Sequence, residues 1–334
     1  MTNAPDHVRS TPAYDRAHHR FALFLAGCTL LLLVAGALVT SNDAGLAVPD
    51  WPTSFGSIYR IPPMVGGVRF EHGHRMVAEF IGLLTIVMAV WTWRAERRSW
   101  MRKLGWTALG LVIFQGVLGG TTVLTFLPPA VSSAHAVFAQ TFFCVAVLMA
   151  VFTSRAWMET PPLGLRDEST PSLRTLTRVL IAALYLQLVL GAAFRHVWTK
   201  LGPGGTGHYA AGEVVGTYLL PHVINAALVA ALLIWVSARA LTRHGQLAAL
   251  RRPAMLLLFL LAAQLMLGFG AYLARVEWGG EAVQPHPFML WSTVAHLAVG
   301  AQVLATSVVL TAQAHRHLAS EQPALSAETR KATA

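Results

Sequence analysis

Eight apolar runs, each about the length of a membrane crossing, constrain this chain more than any other feature. They lie at roughly 21–40, 72–93, 104–125, 131–153, 175–195, 215–238, 253–274 and 288–313. A bilayer core of about 30 Å takes around 20 apolar residues in an α-helix. The first run is longer than the apolar stretch of a signal peptide and has no clear A-x-A exit, so it reads as a retained helix. Charged residues make up 12% of the 334 residues, too few to solvate the surface of a soluble protein of this size. The expectation is an all-α polytopic membrane protein. An ordinary soluble enzyme, a disordered chain and a disulfide scaffold are excluded.

The net charge of +10 follows from where Lys and Arg sit. Nineteen of the 25 fall in alternate segments at one end of the runs and six at the other: Arg60, Arg69, Arg75, Arg195, Lys200 and Arg275. By the positive-inside rule both termini are cytoplasmic, and the basic balance signals topology and not nucleic acid. Three outer connections are long, at 41–71, 196–214 and 275–287. The cysteines, Cys28 and Cys144, both lie in apolar runs and form no CxxC motif.

The chain repeats itself. Gln115-Gly-Val-Leu-Gly119, Gln187-Leu-Val-Leu-Gly191 and Gln264-Leu-Met-Leu-Gly268 share the pattern QxxLG in odd-numbered runs, and Val34-Ala-Gly-Ala-Leu38 is a weaker version without Gln. Each odd run precedes an even run with a histidine near its outer end. The reading is two pseudo-symmetric four-helix bundles, residues 1–155 and 170–320, followed by a cytoplasmic tail at 321–334. Both halves start on the same side, so the repeat is parallel.

The four histidines, His74, His135, His222 and His296, carry the chemistry. An ionisable group inside a span is costly and marks function by default. Two facing imidazoles suit the two axial positions of a haem iron, whereas zinc or copper would call for a third or fourth donor. The repeat pairs His74 with His135 and His222 with His296. The halves differ in Glu71-His-Gly-His74-Arg75. Glu71 and His74 are three apart and share a helix face, which places a carboxylate beside the first haem at the outer boundary, where water reaches. The second half has Leu220-Pro-His222 and no acid. Chemistry is therefore expected in the first half and electron transfer in the second. Arg75 is assigned to a haem propionate, with an i,i+4 pair to Glu79 as the alternative, and His72 reads as interfacial.

At these residues the chain resembles the haem A synthase family. The resemblance rests on Glu71-x-x-His74-Arg75, on the outer-loop stretch Gly45-Leu-Ala-Val-Pro-Asp50-Trp51-Pro52, on Gly119-Gly120-Thr-Thr-Val followed by His135, and on His222 and His296. It covers nearly all of 21–313. It implies oxidation of the C8 methyl of haem O to the formyl group of haem A, by way of an alcohol and a gem-diol that loses water. It implies that His74 and His135 ligate substrate or product haem, that Glu71 assists the oxidation, and that His222 and His296 ligate a haem b cofactor. It also implies a plasma-membrane setting, with a haem O synthase, terminal oxidase assembly factors and an electron acceptor as partners. Some family members carry a cysteine pair in an outer loop; this chain has none, so no thiol role carries over. The competing reading is a di-haem b membrane cytochrome exchanging electrons with quinone. A transporter would place charges at the midplane, whereas here they lie at the outer rim.

Overall fold

The computed structural model describes residues 14–58, 60–202, 205–278 and 286–319, so the expected tail at 321–334 lies outside the described residues. Among the described residues eight helices are long and apolar enough to cross a membrane: α1 (Arg16–Ser41), α2 (Val68–Ala95), α3 (Ser99–Leu124), α4 (Pro129–Thr153), α5 (Leu173–Lys200), α6 (Ala211–His244), α7 (Ala248–Glu277) and α8 (Pro287–His317). The chain is a multi-pass membrane protein. Lipid offers no hydrogen-bond partners, so each crossing satisfies its backbone within its own helix. Starts are set locally. Asp15 accepts from Ala17 N and His18 N to cap α1, and Ser172 accepts from Thr175 N to cap α5. Pro129 and Pro287 occupy the first turns of α4 and α8, where a missing N–H is harmless.

Several helices run beyond the apolar runs. The α5 helix continues to Lys200 and α6 begins at Ala211, which shortens the connection expected at 196–214. The α6 helix passes through a π turn at Val215–Leu219, just before Pro221, whose ring nitrogen cannot donate to the preceding turn. A second π turn, Leu273–Glu277, ends α7. Consequently Arg275, expected in an outer loop, and Arg195, expected at the last residue of its run, both stand inside helix ends.

Packing follows the same cycle in each half. Helices α1, α2, α3 and α4 contact in ring order, as do α5, α6, α7 and α8, and the halves meet through α1 and α4 against α5 and α8. Leu25, Ile81, Met88, Met101 and Met149 fill the first bundle. Leu180, Leu233, Leu257 and Leu310 fill the second, and this core continues across the junction to Leu33, Phe143 and Cys144. Leu31, Phe259 and Met266 point outward into the lipid zone. The charge-rich end is closed by polar ties: Arg98 pairs with Glu96 and donates to Phe152 O, and Arg316 donates to Trp157 O.

Candidate functional site

All four histidines stand near the charge-poor end, six, six, eleven and nine residues beyond the first residue of α2, α4, α6 and α8. At 1.5 Å per residue that is roughly 9–16 Å of depth. Each packs on a glycine of the preceding helix. A Cβ built on Gly36 would stand 3.1 Å from Cε1 of His74; on Gly119, 3.3 Å from that of His135; on Gly191, 2.8 Å from that of His222; and on Gly268, 2.9 Å from that of His296. In all four contacts Nδ1 is nearer the glycine than Nε2. The ring is thus pressed edge-on against a neighbouring backbone in one repeated orientation. This sets the register of the weak first repeat: Gly36 is the counterpart of Gly119, Gly191 and Gly268, and Leu32 stands where the other copies have Gln.

The repeat's glutamines, given no role from sequence, contact the same histidines. They lie four residues before the glycine and so share its face. Gln115 Nε2 donates to His135 O at 2.9 Å. Gln187 Nε2 lies 3.1 Å from Nδ1 and Nε2 of His222, and its Oε1 accepts from Asn225 at 2.7 Å. Gln264 Nε2 lies 3.4 Å from His296 Nε2. The QxxLG pattern is therefore a seat for the next helix's imidazole.

His74 and His135 lie within electrostatic range of each other, as do His222 and His296. The structure brings together the pairs that the repeat suggested. The Nδ1 atoms of His74, His135 and His296 are buried without a hydrogen-bond partner among the described residues. No cluster of three or more His, Cys, Asp or Glu able to hold a bare metal ion occurs among them. Paired imidazoles without a third protein donor fit a haem iron, which brings its own four equatorial nitrogens.

The first half is roofed by the loop after α1, and two expectations change there. Glu71 is 4% exposed and buried, not open to water. Its Oε2 accepts from Val48 N at 2.7 Å, and its Oε1 accepts from Arg75 Nη2 at 2.6 Å. Arg75 pairs with Glu71 and not with Glu79. The same guanidinium donates to Val48 O at 3.0 Å, Asp50 O at 2.7 Å and Thr53 O at 3.1 Å. Its terminal nitrogens are thus engaged in holding the loop, and a haem propionate would have to displace loop carbonyls to reach them. His72 also ties the loop, with Nδ1 3.0 Å from Ser54 Oγ.

The loop folds around Asp50, whose carboxylate accepts from Phe55 N at 2.7 Å, Gly56 N at 2.8 Å and Thr53 Oγ1. Desolvation pushes this carboxyl up, but the hydrogen bonds from Thr53, Gly56 and Phe55 outweigh it and hold it down at about 2. Trp51 lies flat on Gly120, where any Cβ would overlap the indole. The adjacent glycines of α3 therefore seat two different rings, Gly119 that of His135 and Gly120 that of Trp51.

Three residues before the four histidines stand Glu71, Ser132, Leu219 and Thr293, so one site alone has a carboxylate there. His196 falls in the segment expected as an outer loop, where the apolar pattern gives it no signal. It lies on α5 within electrostatic range of His135 and Arg195, at the junction of the halves.

Fold and histidine arrangement together define a class: an all-helical membrane protein with a histidine pair near the charge-poor end of each four-helix half. Comparison with known proteins makes this specific. The cytochrome oxidase assembly protein family matches residues 68–202. The Heme A synthase of Symbiobacterium thermophilum is 31% identical over 262 residues, 74% of this chain and 83% of that protein. That of Shouchella clausii is 34% identical over 122 residues, 36% of this chain and 40% of that protein. That of Shewanella oneidensis is 28% identical over 191 residues, 52% and 53% of the two chains. The chain belongs to the haem A synthase family.

Proposed function

We propose that this protein oxidises the C8 methyl group of haem O to the formyl group of haem A, in the half built from α1–α4, residues 1–155. The observation that carries this reading is the asymmetry of the two histidine pairs: His74 alone has a carboxylate one turn away, fixed under a folded loop. His74 on α2 and His135 on α4 would hold the substrate iron, and Glu71, one turn outward of His74, would stand beside the outward edge of the ring. Converting methyl to formyl removes four electrons and adds one oxygen atom, so positive charge develops at the reacting carbon. Glu71 is suited to stabilise that charge because its oxygens are fixed by Val48 N and Arg75 before the reaction begins. A carboxylate has about four lone-pair sites and two are used here, which leaves room to hold a water or accept a proton. The loop around Asp50 and Trp51 shields this edge from bulk water, which strengthens the electrostatic effect.

The half built from α5–α8, residues 170–320, is read as the cofactor half. A haem b between His222 and His296 would supply one-electron transfer toward an external acceptor. The 19-to-6 distribution of Lys and Arg supports a plasma-membrane protein with both termini in the cytoplasm. A haem O synthase would supply the substrate, and terminal oxidase assembly would consume the product.

The test is to express the chain in a host that makes haem O but no haem A, and to separate the extracted haems by chromatography. Haem A or its alcohol intermediate supports the reading. Unchanged haem O with haem b alone refutes it and leaves the di-haem carrier.

A further inference from the structure

Two arginines at the charge-poor end of the second half lack adequate partners. Arg195 on α5 and Arg275 in the π turn of α7 lie within electrostatic range of each other. Asp43, after α1, is within range of both, but among the described residues no carboxylate reaches ion-pair distance of either. Arg195 Nη2 donates to Ser41 Oγ at 3.3 Å, and Arg275 Nη2 to the thioether of Met289 at 3.1 Å, a weak acceptor. Arg195 Nη1 and Arg275 Nε are buried with no partner among the described residues. Two neighbouring half-buried guanidiniums, each with a buried nitrogen left unpaired, carry a desolvation and repulsion penalty unless an anion sits with them.

Their positions indicate which anion. Arg195 is four residues beyond Gly191, the seat of His222, and Arg275 is seven beyond Gly268, the seat of His296. A spacing of four keeps the same helix face, and seven keeps nearly the same face, the π turn at Leu273–Glu277 displacing Arg275 by a fraction of a turn. Both cations therefore stand outward of the histidine seats, along the faces that carry them. The same steps from Gly36 and Gly119 reach Thr40 and Asp43, and Val123 and Phe126, so the first half has no cation at these places. A ligand held by the second histidine pair thus meets two guanidiniums at its outward edge, and one held by the first pair does not.

We propose that Arg195 and Arg275 form a clamp for two carboxylates, receiving the propionates of the haem held between His222 and His296, with Arg195 Nη1 and Arg275 Nε as the open donors. This rests on reading that histidine pair as haem ligands. A guanidinium fork matches a carboxylate in shape and charge. The clamp fixes the haem's direction, propionates toward the charge-poor end, and places positive charge beside the iron.

The test uses the full-length, haem-loaded protein in detergent. Arg195→Gln, Arg275→Gln, Arg195→Lys and His222→Ala are compared by optical spectrum, by the rate of haem loss to apomyoglobin, and by midpoint potential. Each Gln variant should keep the low-spin spectrum, lose this haem about tenfold faster or more, as expected for a lost charge-assisted hydrogen bond, and shift its midpoint downward. Arg195→Lys should fall between. Gln variants that match wild type in rate and potential, while His222→Ala lacks the low-spin signal of this site, overturn the clamp and leave the ligand assignment standing. A low-spin signal that survives His222→Ala overturns the assignment and the clamp with it. Should the Gln variants fail to assemble, wild-type protein loaded with haem dimethyl ester decides. Faster loss of the ester supports the clamp, and loss at the rate of haem itself overturns it.

Discussion

Alanine at Gly191 probes the glycine–histidine contacts most sharply. A Cβ there would stand 2.8 Å from His222 Cε1 and 3.1 Å from Nδ1. Carbon atoms rest about 3.5–4.0 Å apart, so the ring must retreat by roughly 0.7 Å or more. Overpacking of this kind costs about 1–3 kcal/mol. At 1.4 kcal/mol per tenfold, haem retention should weaken by about 5- to 150-fold. The four seats should grade with distance: Gly191→Ala and Gly268→Ala strongest, Gly36→Ala less, and Gly119→Ala, at 3.3 Å, least. Alanine is favoured over glycine inside a helix by about 0.8–1.0 kcal/mol, so the helices themselves should not suffer. Gly116→Ala, on the same helix as Gly119 but with nothing within 4 Å of its Cβ, is the control. The assay is haem per protein after purification and the low-spin spectrum, with thermal unfolding alongside. Equal haem content in all five variants would refute the claim that these glycines position the imidazoles.

Glu71→Gln should leave both haem spectra in place but lower haem A formation by about 100–1,000-fold, with haem O or the alcohol accumulating in extracted haem. Because Glu71 also holds Val48 and Arg75, the same variant should loosen the roof by about 1.5–3 kcal/mol, read as faster proteolysis within residues 48–56. Arg75→Ala should be worse, costing about 3–5 kcal/mol by leaving a buried carboxylate unpaired. The roof should also be acid-sensitive. The Asp50 carboxyl is held at about 2, below its unfolded value of about 3.9, so its contribution is full above pH ~4 and lost as pH falls through 2. The Trp51 emission, obtained by difference from Trp51→Phe, should shift to the solvent-exposed value over that window and be flat in Asp50→Asn.

The eight crossings were legible because hydropathy over 20 residues is a strong, local signal. The four histidines were legible for a related reason: an imidazole in an apolar run stands out against its neighbours. What was lost depended on contacts between helices. The QxxLG repeat was visible, but nothing in one dimension shows that its glycine admits the next helix's ring. Arg75 has carboxylates four residues away on both sides, Glu71 and Glu79, and only the folded loop, with its carbonyls above Glu71, decides between them. The burial of Glu71 is not legible because a residue at the outer boundary is expected to meet water, whereas the loop around Asp50 and Trp51 folds down onto α2 and α3. His196 and Arg275 fall in expected outer loops, and Arg195 at the last residue of its run, because the apolar runs end before the helices that carry them do.

The central claim is that the two histidine pairs are unequal, the first holding the haem that is changed and the second the haem that is kept. Its most direct test is site-resolved haem analysis of four single variants, His74→Ala, His135→Ala, His222→Ala and His296→Ala, purified from a host supplied with haem O. The account predicts that the first two lose bound haem O and haem A but retain haem b, and that the last two lose haem b. Loss of haem b from the His74 or His135 variant, with haem A retained, would contradict it.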